Sequence, residues 1–147
     1  MKELEQFLIR AEALLARIEP LLPAAPADVD WDAATAFRWR VSRDGRGRLQ
    51  AVGNAGRIRL DDLRNISAQK EQIEQNTLQF VAGKPANNVL LTGARGTGKS
   101  SLIKACLNQY AEQGLRLIEV DKDHLADLPD IVDMVAKRPE RFIIFCD

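Results

Sequence analysis

The sequence predicts an α/β fold of three layers, in which helices cover both faces of a parallel sheet. From residue 88 onward, apolar segments of strand length alternate with segments of helical period, and this alternation is typical of βαβ units. The last strand-like segment, Phe142–Cys146, is apolar throughout, as in strands covered on both faces. An N-terminal helix and a small β-hairpin precede this part, so the sequence predicts a division into residues 1–59 and 60–147.

The first element is an amphipathic helix over residues 2–19, because apolar residues recur there at helical spacing and Pro20 then ends the pattern. Its apolar stripe consists of Leu4, Phe7, Leu8, Ala11, Leu14, Leu15 and Ile18. The favoured interpretation is a helix packed on its own domain. The alternative is a docking helix for a partner or a neighbouring subunit. A Pro/Ala-rich connector, Pro20–Asp30, follows.

A basic β-hairpin comes next. Apolar residues and arginines alternate over residues 37–41, a turn signal covers residues 44–47, and residues 48–52 return as a second strand. Seven arginines and one aspartate lie between residues 38 and 59. These charges indicate either a contact with a nucleic-acid backbone or a solvated sheet face protected from edge pairing. The solvated face is favoured, since the formal net charge of the chain is zero.

The later elements are predicted from their ends. Ser67 is the expected N-cap of a helix that Gly83 ends, and Val89–Leu91 is the expected strand before the next helix. That helix stops at Gly114 and leads into a strand over Leu115–Val120. Pro129 opens the last helix. Its inward-facing residues are predicted to be Ile131, Val132, Val135 and Ala136.

Between the expected strand and helix, Gly93–Ser100 fits the phosphate-binding P-loop pattern G-x-x-x-x-G-K-[ST]. A triphosphate needs several converging donors. Gly93, Gly96 and Gly98 allow the backbone to take positive φ and come close to the phosphates, and the helix start adds free N–H groups and a positive dipole end. The residues predicted to bind the nucleotide, here called the glycine loop, are Gly93, Ala94, Arg95, Gly96, Thr97, Gly98, Lys99, Ser100 and Ser101.

Two catalytic residues are predicted, Lys99 and Asp147. Lys99 would reach the β- and γ-phosphates of the bound triphosphate as a mobile cation, and the Ser100 hydroxyl would be a ligand of Mg²⁺. Asp147 ends a buried apolar strand downstream of the loop, which is the Walker B arrangement, so the predicted metal ligands are Ser100 and Asp147. Asp121, at the end of the preceding strand, is the lower-ranked alternative carboxylate.

Bulk properties limit the remaining choices. The N-terminus has no signal-peptide pattern and no apolar run is long enough to span a bilayer, so the sequence predicts a cytoplasmic protein without a membrane partner. Cys106 and Cys146 both lie in apolar runs and are expected to be buried thiols. The single histidine, His124, has no catalytic constellation around it and is expected in a surface loop.

A resemblance adds to these inferences. The residues that carry it are Gln69-Lys70, Asn76-Thr77, Phe80, Gly83, Ala86-Asn87-Asn88 and the glycine loop. Together they resemble a bacterial family of predicted AAA+-type P-loop ATPases of unassigned biological role. The resemblance implies a P-loop NTPase-type αβα fold, phosphate binding by Gly93–Ser101, Asp147 as the first acidic residue of Walker B, and a homo-oligomer in the full-length protein.

The same resemblance implies parts beyond Asp147: a second acidic residue, a sensor residue, an arginine finger, a helical lid and further strands. One of those strands separates the P-loop strand from the Walker B strand in such sheets. A gap or misplaced pairing is therefore expected between Val89–Thr92 and Phe142–Cys146. The 147-residue chain is expected to be marginally stable or part of a longer protein, and ATP hydrolysis is expected only in a longer polypeptide.

Two other function classes remain open. One is a P-loop GTPase or small-molecule kinase, although the Asn-Lys-x-Asp guanine signature does not occur in the sequence. The other is a nucleotide-gated scaffold, without hydrolysis, in which the basic hairpin or the first helix recognises a partner. Nucleic-acid binding belongs to this second class and is not favoured.

Overall fold

A four-stranded sheet organises the protein, in a computed structural model that describes residues 2–22, 28–53 and 56–147. The strands are β1 (Ala36–Val41), β2 (Gly47–Ala51), β3 (Leu115–Val120) and β4 (Arg141–Cys146). Their order in the sheet is β2-β1-β3-β4; β1 and β2 are antiparallel, and the other two pairs are parallel. The predicted α/β class with a mainly parallel sheet is therefore confirmed.

The α-helices of the described residues are α1 (Lys2–Ile18), α2 (Ser67–Val81), α3 (Lys99–Tyr110) and α4 (Leu128–Val135). On one sheet face, Phe37, Trp39, Ile118 and Val120 form a buried cluster with Ile131 of α4. On the other face, Leu115 and Leu117 pack with α3 and with the end of α2. The sheet is thus covered on both sides, and α3 is fixed by its packing on the central strand β3.

The hairpin is continuous with the main sheet. Strand β1 pairs in parallel with β3 through Ala36, Phe37 and Arg38, and its turn contains Gly45 at φ 78°. Gly47 opens β2 against the ring of Trp39, where a Cβ would lie 1.8 Å from the ring atom Cζ2. The predicted strands of the hairpin are confirmed, whereas the predicted boundary between residues 59 and 60 stays a prediction.

The strand predicted at Val89–Leu91 is wrong. None of these residues has strand pairing in the part of the chain that the structure describes, and Val89 and Leu90 are 51% and 87% exposed. A strand needs a neighbour for its N–H and C=O groups, and the sheet ends at β4 without reaching this segment. The gap expected between Val89–Thr92 and β4 is present.

Two predictions about helices also need correction, one on where α2 begins and one on which side of α4 faces the sheet. The N-cap of α2 is Ile66, so Ser67 is the first residue inside the helix and not its N-cap. In α4, Val132 and Ala136 are exposed, because the short helix turns Ile131 and the neighbouring Val135 towards the sheet. Both errors arise from helix rotation and start point, which local apolar spacing specifies to within about one or two residues.

Of the predictions about the cysteines and the histidine, one is confirmed and two need correction. Cys106 is buried as predicted, but Cys146 is exposed, because it lies at the end of β4, and β4 is the last strand of the sheet. His124 lies in a 3-10 segment, Lys122–Asp127, rather than a loop. Its Nδ1 is 3.6 Å from Oδ2 of Asp127, and its side chain is 38% exposed.

Helix α1 is confirmed, including its end before a 3-10 turn that contains Pro20. The favoured interpretation of its apolar stripe is wrong. Among the described residues, the three core clusters contain no residue of α1, and its large apolar side chains are between 47% and 67% exposed. The predicted connector falls partly outside the described residues, at residues 23–27.

Within the described ranges, no helix has the length and apolar character needed to cross a membrane.

Candidate functional site

The glycine loop connects the exposed segment before it to helix α3, and its backbone depends on glycine. Gly93, Gly96 and Gly98 have φ values of 146°, 83° and 85°. Residues with a Cβ rarely adopt such values, since the side chain collides with the backbone. At Gly93 an added Cβ would also lie 3.0 Å from the Thr97 hydroxyl oxygen. The three glycines that the motif supplies therefore let this chain fold back on itself before the helix.

Side chains from the loop hold it closed. The Lys99 ammonium donates to the carbonyl oxygens of Gly93 (2.8 Å) and Ala94 (2.9 Å). The Thr97 hydroxyl donates to the same Ala94 carbonyl at 2.8 Å. An ammonium carries three donors, so Lys99 retains one for a ligand. These two bonds hold the positive charge against the main chain of the loop, and Lys99 lines the pocket beside it.

Helix α3 begins directly from the loop, and Gly98 is its N-cap, with left-handed backbone and no side-chain cap bond. The first bond of the helix runs from the Leu102 N–H to the Gly98 carbonyl, at 2.9 Å. The N–H groups of Lys99, Ser100 and Ser101 consequently have no carbonyl partner inside the helix. They point in the same direction as the positive end of the helix dipole, which makes this helix start suited to an anion.

Asp147 lies at the same place. A pocket of about 280 Å³ is lined by residues 95–101 and Asp147. The main chain of Asp147 is held by the end of β3, because its N–H donates to Val120 (3.3 Å) and its carbonyl accepts from Lys122 (3.2 Å). Ser100 and Asp147, far apart in sequence, thus line one pocket. Lys99 and the other loop residues from Arg95 to Ser101 line it too, while Gly93 and Ala94 form the base to which Lys99 is bonded.

A second, larger cleft adjoins the first. It measures about 440 Å³ and shares Ser100 and Asp147 with the loop pocket. Its other charged or titratable lining residues are Arg38, Arg40, Lys104, Glu119, Asp121 and His124. The alternative carboxylate Asp121 is therefore near Ser100 but, unlike Asp147, does not line the loop pocket.

The cleft contains residues that sequence reasoning did not assign to the site. Alternation in β1 places Arg38 and Arg40 on one sheet face, and this could be read from sequence, but not that this face adjoins the start of α3. Arg38 is engaged by Glu119, with Nε and Nη2 donating to Oε2 at 2.9 and 2.5 Å. Arg40 stands opposite Arg48 across the hairpin.

A family comparison covers most of this architecture. A family model matches residues 32–147, from the hairpin to Asp147, and so includes both the glycine loop and the cleft. The chain belongs to this family. Its description is "Protein of unknown function (DUF815)". No curated protein and no solved structure matches the chain significantly.

The segment before the loop is tied to α2 by Asn76, which was predicted only as part of a resemblance. Its amide nitrogen donates to the Asn87 carbonyl at 2.8 Å, and its amide oxygen accepts from the Asn87 N–H at 2.9 Å. This pair of hydrogen bonds holds the segment in place, since residues 88–92 have no strand pairing in the described structure. Asn76 therefore positions the chain entering the loop.

In the part of the chain that the structure describes, neither a metal cluster nor a reactive thiol competes with this site. In residues 2–22, 28–53 and 56–147, no group of three or more His, Cys, Asp or Glu side chains is placed to hold a metal ion. Burial raises the pKa of the Cys106 thiol to about 11, with the bond to Thr77 acting in the opposite direction. Partial desolvation also raises the pKa of the Cys146 thiol, although the residue as a whole is exposed. Both thiols thus stay protonated near neutral pH, which disfavours nucleophilic or metal chemistry.

Proposed function

We propose that this chain binds ATP together with Mg²⁺ at the glycine loop, as the nucleotide-binding part of an AAA+-type P-loop ATPase. The observation that carries the proposal is the convergence of Ser100 and Asp147 on the pocket beside the loop. A P-loop pattern alone predicts phosphate binding. A carboxylate brought to the same pocket by a neighbouring strand adds the second half of a metal–nucleotide site.

The phosphate-binding role rests on main-chain donors. The left-handed glycines bring the backbone within reach of a ligand. The free N–H groups at the start of α3 supply hydrogen-bond donors that do not titrate. Lys99 adds a positive charge that two carbonyl oxygens already orient. These features support binding of a triphosphate at the concave side of the loop.

The metal role rests on two oxygen donors, the hydroxyl of Ser100 and the carboxylate of Asp147. Mg²⁺ usually takes only one or two protein ligands and completes its octahedron with water and phosphate, so this pair fits it without a larger cluster. When bound, Mg²⁺ neutralises charge that builds up on the phosphates. Ser100 and Asp147 would hold it, and the loop would hold the phosphates beside it.

Hydrolysis requires one more function, a carboxylate or polar group that orients the attacking water. Among the described residues, Asp147 is the single acidic side chain lining the loop pocket, and the proposal uses it for the metal. The proposal for this chain is therefore nucleotide binding. Hydrolysis belongs to it only for a polypeptide that supplies a second polar group at the pocket.

Isothermal titration calorimetry with Mg·ATP tests the proposal. Lys99→Ala removes the charge-assisted hydrogen bonds to the phosphates, each of about 1.5–3 kcal/mol. The dissociation constant for Mg·ATP should therefore rise at least ~10-fold. Lys137→Ala is the matched control, because it removes the same charge from an exposed position beyond α4 and should change nothing. Equal affinity of the native chain and Lys99→Ala, or no binding by either, would refute nucleotide binding at the loop.

A second titration tests the carboxylate assignment and the alternatives. Asp147→Asn should weaken Mg·ATP binding but leave metal-free ATP binding unchanged, while Asp121→Asn should alter neither. The reverse pattern would assign the metal to Asp121. Tighter binding of Mg·GTP than of Mg·ATP would replace the ATPase proposal by the GTPase alternative.

A further inference from the structure

Helix α1 presents an apolar face that nothing in the described structure covers. Side chains recur along it every seven residues: Leu4, Ala11 and Ile18 at one position, Phe7 and Leu14 at a second, and Leu8 and Leu15 at a third. The six large members are each 47–67% exposed. In proteins, most of the stability of a helix comes from the packing of such a face rather than from helix propensity.

We propose that this face packs against α1 of a second copy of the chain, with the two helices parallel. The six large side chains offer on the order of 600 Å² of apolar surface. That is at the upper end of the patches seen on monomers and close to the ~800 Å² that each partner contributes to a stable interface. The seven-residue repeat, which covers little more than two heptads of this 17-residue helix, is also a period that lets two helices stay in contact along their length.

The charges beside the face determine the orientation. At 3.6 residues per turn, Glu5 and Glu12 border one side of the face, and Arg10 and Arg17 border the other, together with Glu3 near the N-terminus. In a parallel pair, opposite borders meet, so the arginines of one helix face the glutamates of the next. In an antiparallel pair, like borders meet, and glutamates would face glutamates. The parallel arrangement therefore brings both arginines next to glutamates, against one glutamate, Glu3, that comes next to a like charge.

The same charges argue against a lipid surface as the occupant. Helices that lie on membranes carry lysine and arginine on their polar face, whereas α1 has three glutamates, Glu3, Glu5 and Glu12, beside its arginines. The pairing of α1 does not depend on nucleotide binding at the glycine loop. The two proposals can therefore fail separately.

Sedimentation equilibrium of the 147-residue chain in the low micromolar range tests self-association. We expect a dimer or larger species, and Leu8→Gln/Leu15→Gln should raise the dissociation constant at least ~100-fold. Ile9→Gln is the matched control, because Ile9 is equally exposed (65%) but lies off the repeat. Circular dichroism of each variant confirms that the sheet is intact. A monomer across this range, or association unchanged by Leu8→Gln/Leu15→Gln, would overturn the proposal, as would vesicle binding by a monomer.

Charge reversal tests the orientation. Arg10→Glu/Arg17→Glu makes both borders acidic, and Glu5→Arg/Glu12→Arg gives both borders a net positive charge, so each variant alone should associate at least several-fold more weakly than the native chain. Mixed in equal amounts, the two variants should restore association, because each supplies the charge that the other lacks.

Cross-linking gives a readout that charge alone does not. In a Cys146→Ser background, Leu4→Cys should form a disulfide between copies, because identical positions meet in a parallel pair. Ala16→Cys, on the exposed polar side of the helix, should form none. Cross-linking at Ala16→Cys but not at Leu4→Cys, or failure of the mixed charge variants to associate, would overturn the parallel pairing.

Discussion

Gly98→Ala separates the backbone geometry of the loop from every other property of the site. Gly98 has φ 85°, and a Cβ added there meets no heavy atom within 4 Å. The substitution therefore causes no collision with neighbouring residues and costs only the left-handed strain, roughly 1–2 kcal/mol. If the loop escapes this strain by adopting another conformation, the binding-competent fraction falls accordingly. We expect the dissociation constant for Mg·ATP to rise about 5- to 30-fold.

The hairpin provides a matched control. Gly45 has φ 78° and equally open space around its Cβ position, but it lies in the turn between β1 and β2. Gly45→Ala should lose as much stability as Gly98→Ala in urea unfolding, yet bind Mg·ATP like the native chain. Calorimetry on both variants decides the matter. Native affinity in Gly98→Ala, alongside the expected destabilisation in Gly45→Ala, would show that the positive-φ loop is not the binding surface.

Three further predictions concern residues that support the site. Gly47→Ala should destabilise the chain by about 1–3 kcal/mol in urea, since the new methyl would overlap the ring of Trp39; an unchanged midpoint would contradict this packing. Asn76→Leu should speed amide hydrogen exchange at Asn87 about 5- to 30-fold, because two hydrogen bonds are lost; unchanged exchange would show that the clamp is not formed. With its pKa raised to about 11 by burial, Cys106 should be about 0.1% thiolate at pH 8 and react with an aromatic disulfide reagent only on unfolding; rapid reaction in the native state would contradict the burial.

Elements whose pattern is local could be predicted well from the sequence. Strand β3 was expected at Leu115–Val120 and has those bounds. The apolar-rich segment lies between Gly114 and Asp121, which fix where a strand can begin and end. Positive φ at the loop glycines was also expected, because the motif is itself a statement about backbone conformation.

Features that depend on distant partners could not be predicted in the same way. Val89–Leu91 has strand-like composition, but it forms no strand because no described strand reaches it. The face of α1 was recognised, whereas its exposure was not, since periodicity shows that a face exists and not what covers it. The cleft beside Ser100 was missed for a similar reason. The order of the strands brings Arg38 and Arg40 next to α3, and local residue spacing does not predict strand order.

The central claim is that the glycine loop and Asp147 form one nucleotide site. A titration of the ¹⁵N-labelled chain with Mg·ATP, followed by amide chemical shifts in two-dimensional NMR, tests it most directly. We predict that the largest shifts map to Gly93–Ser101 and to Asp147, with much smaller changes in the hairpin and in α1. Shifts confined to the hairpin, or no shifts at millimolar Mg·ATP, would contradict the claim.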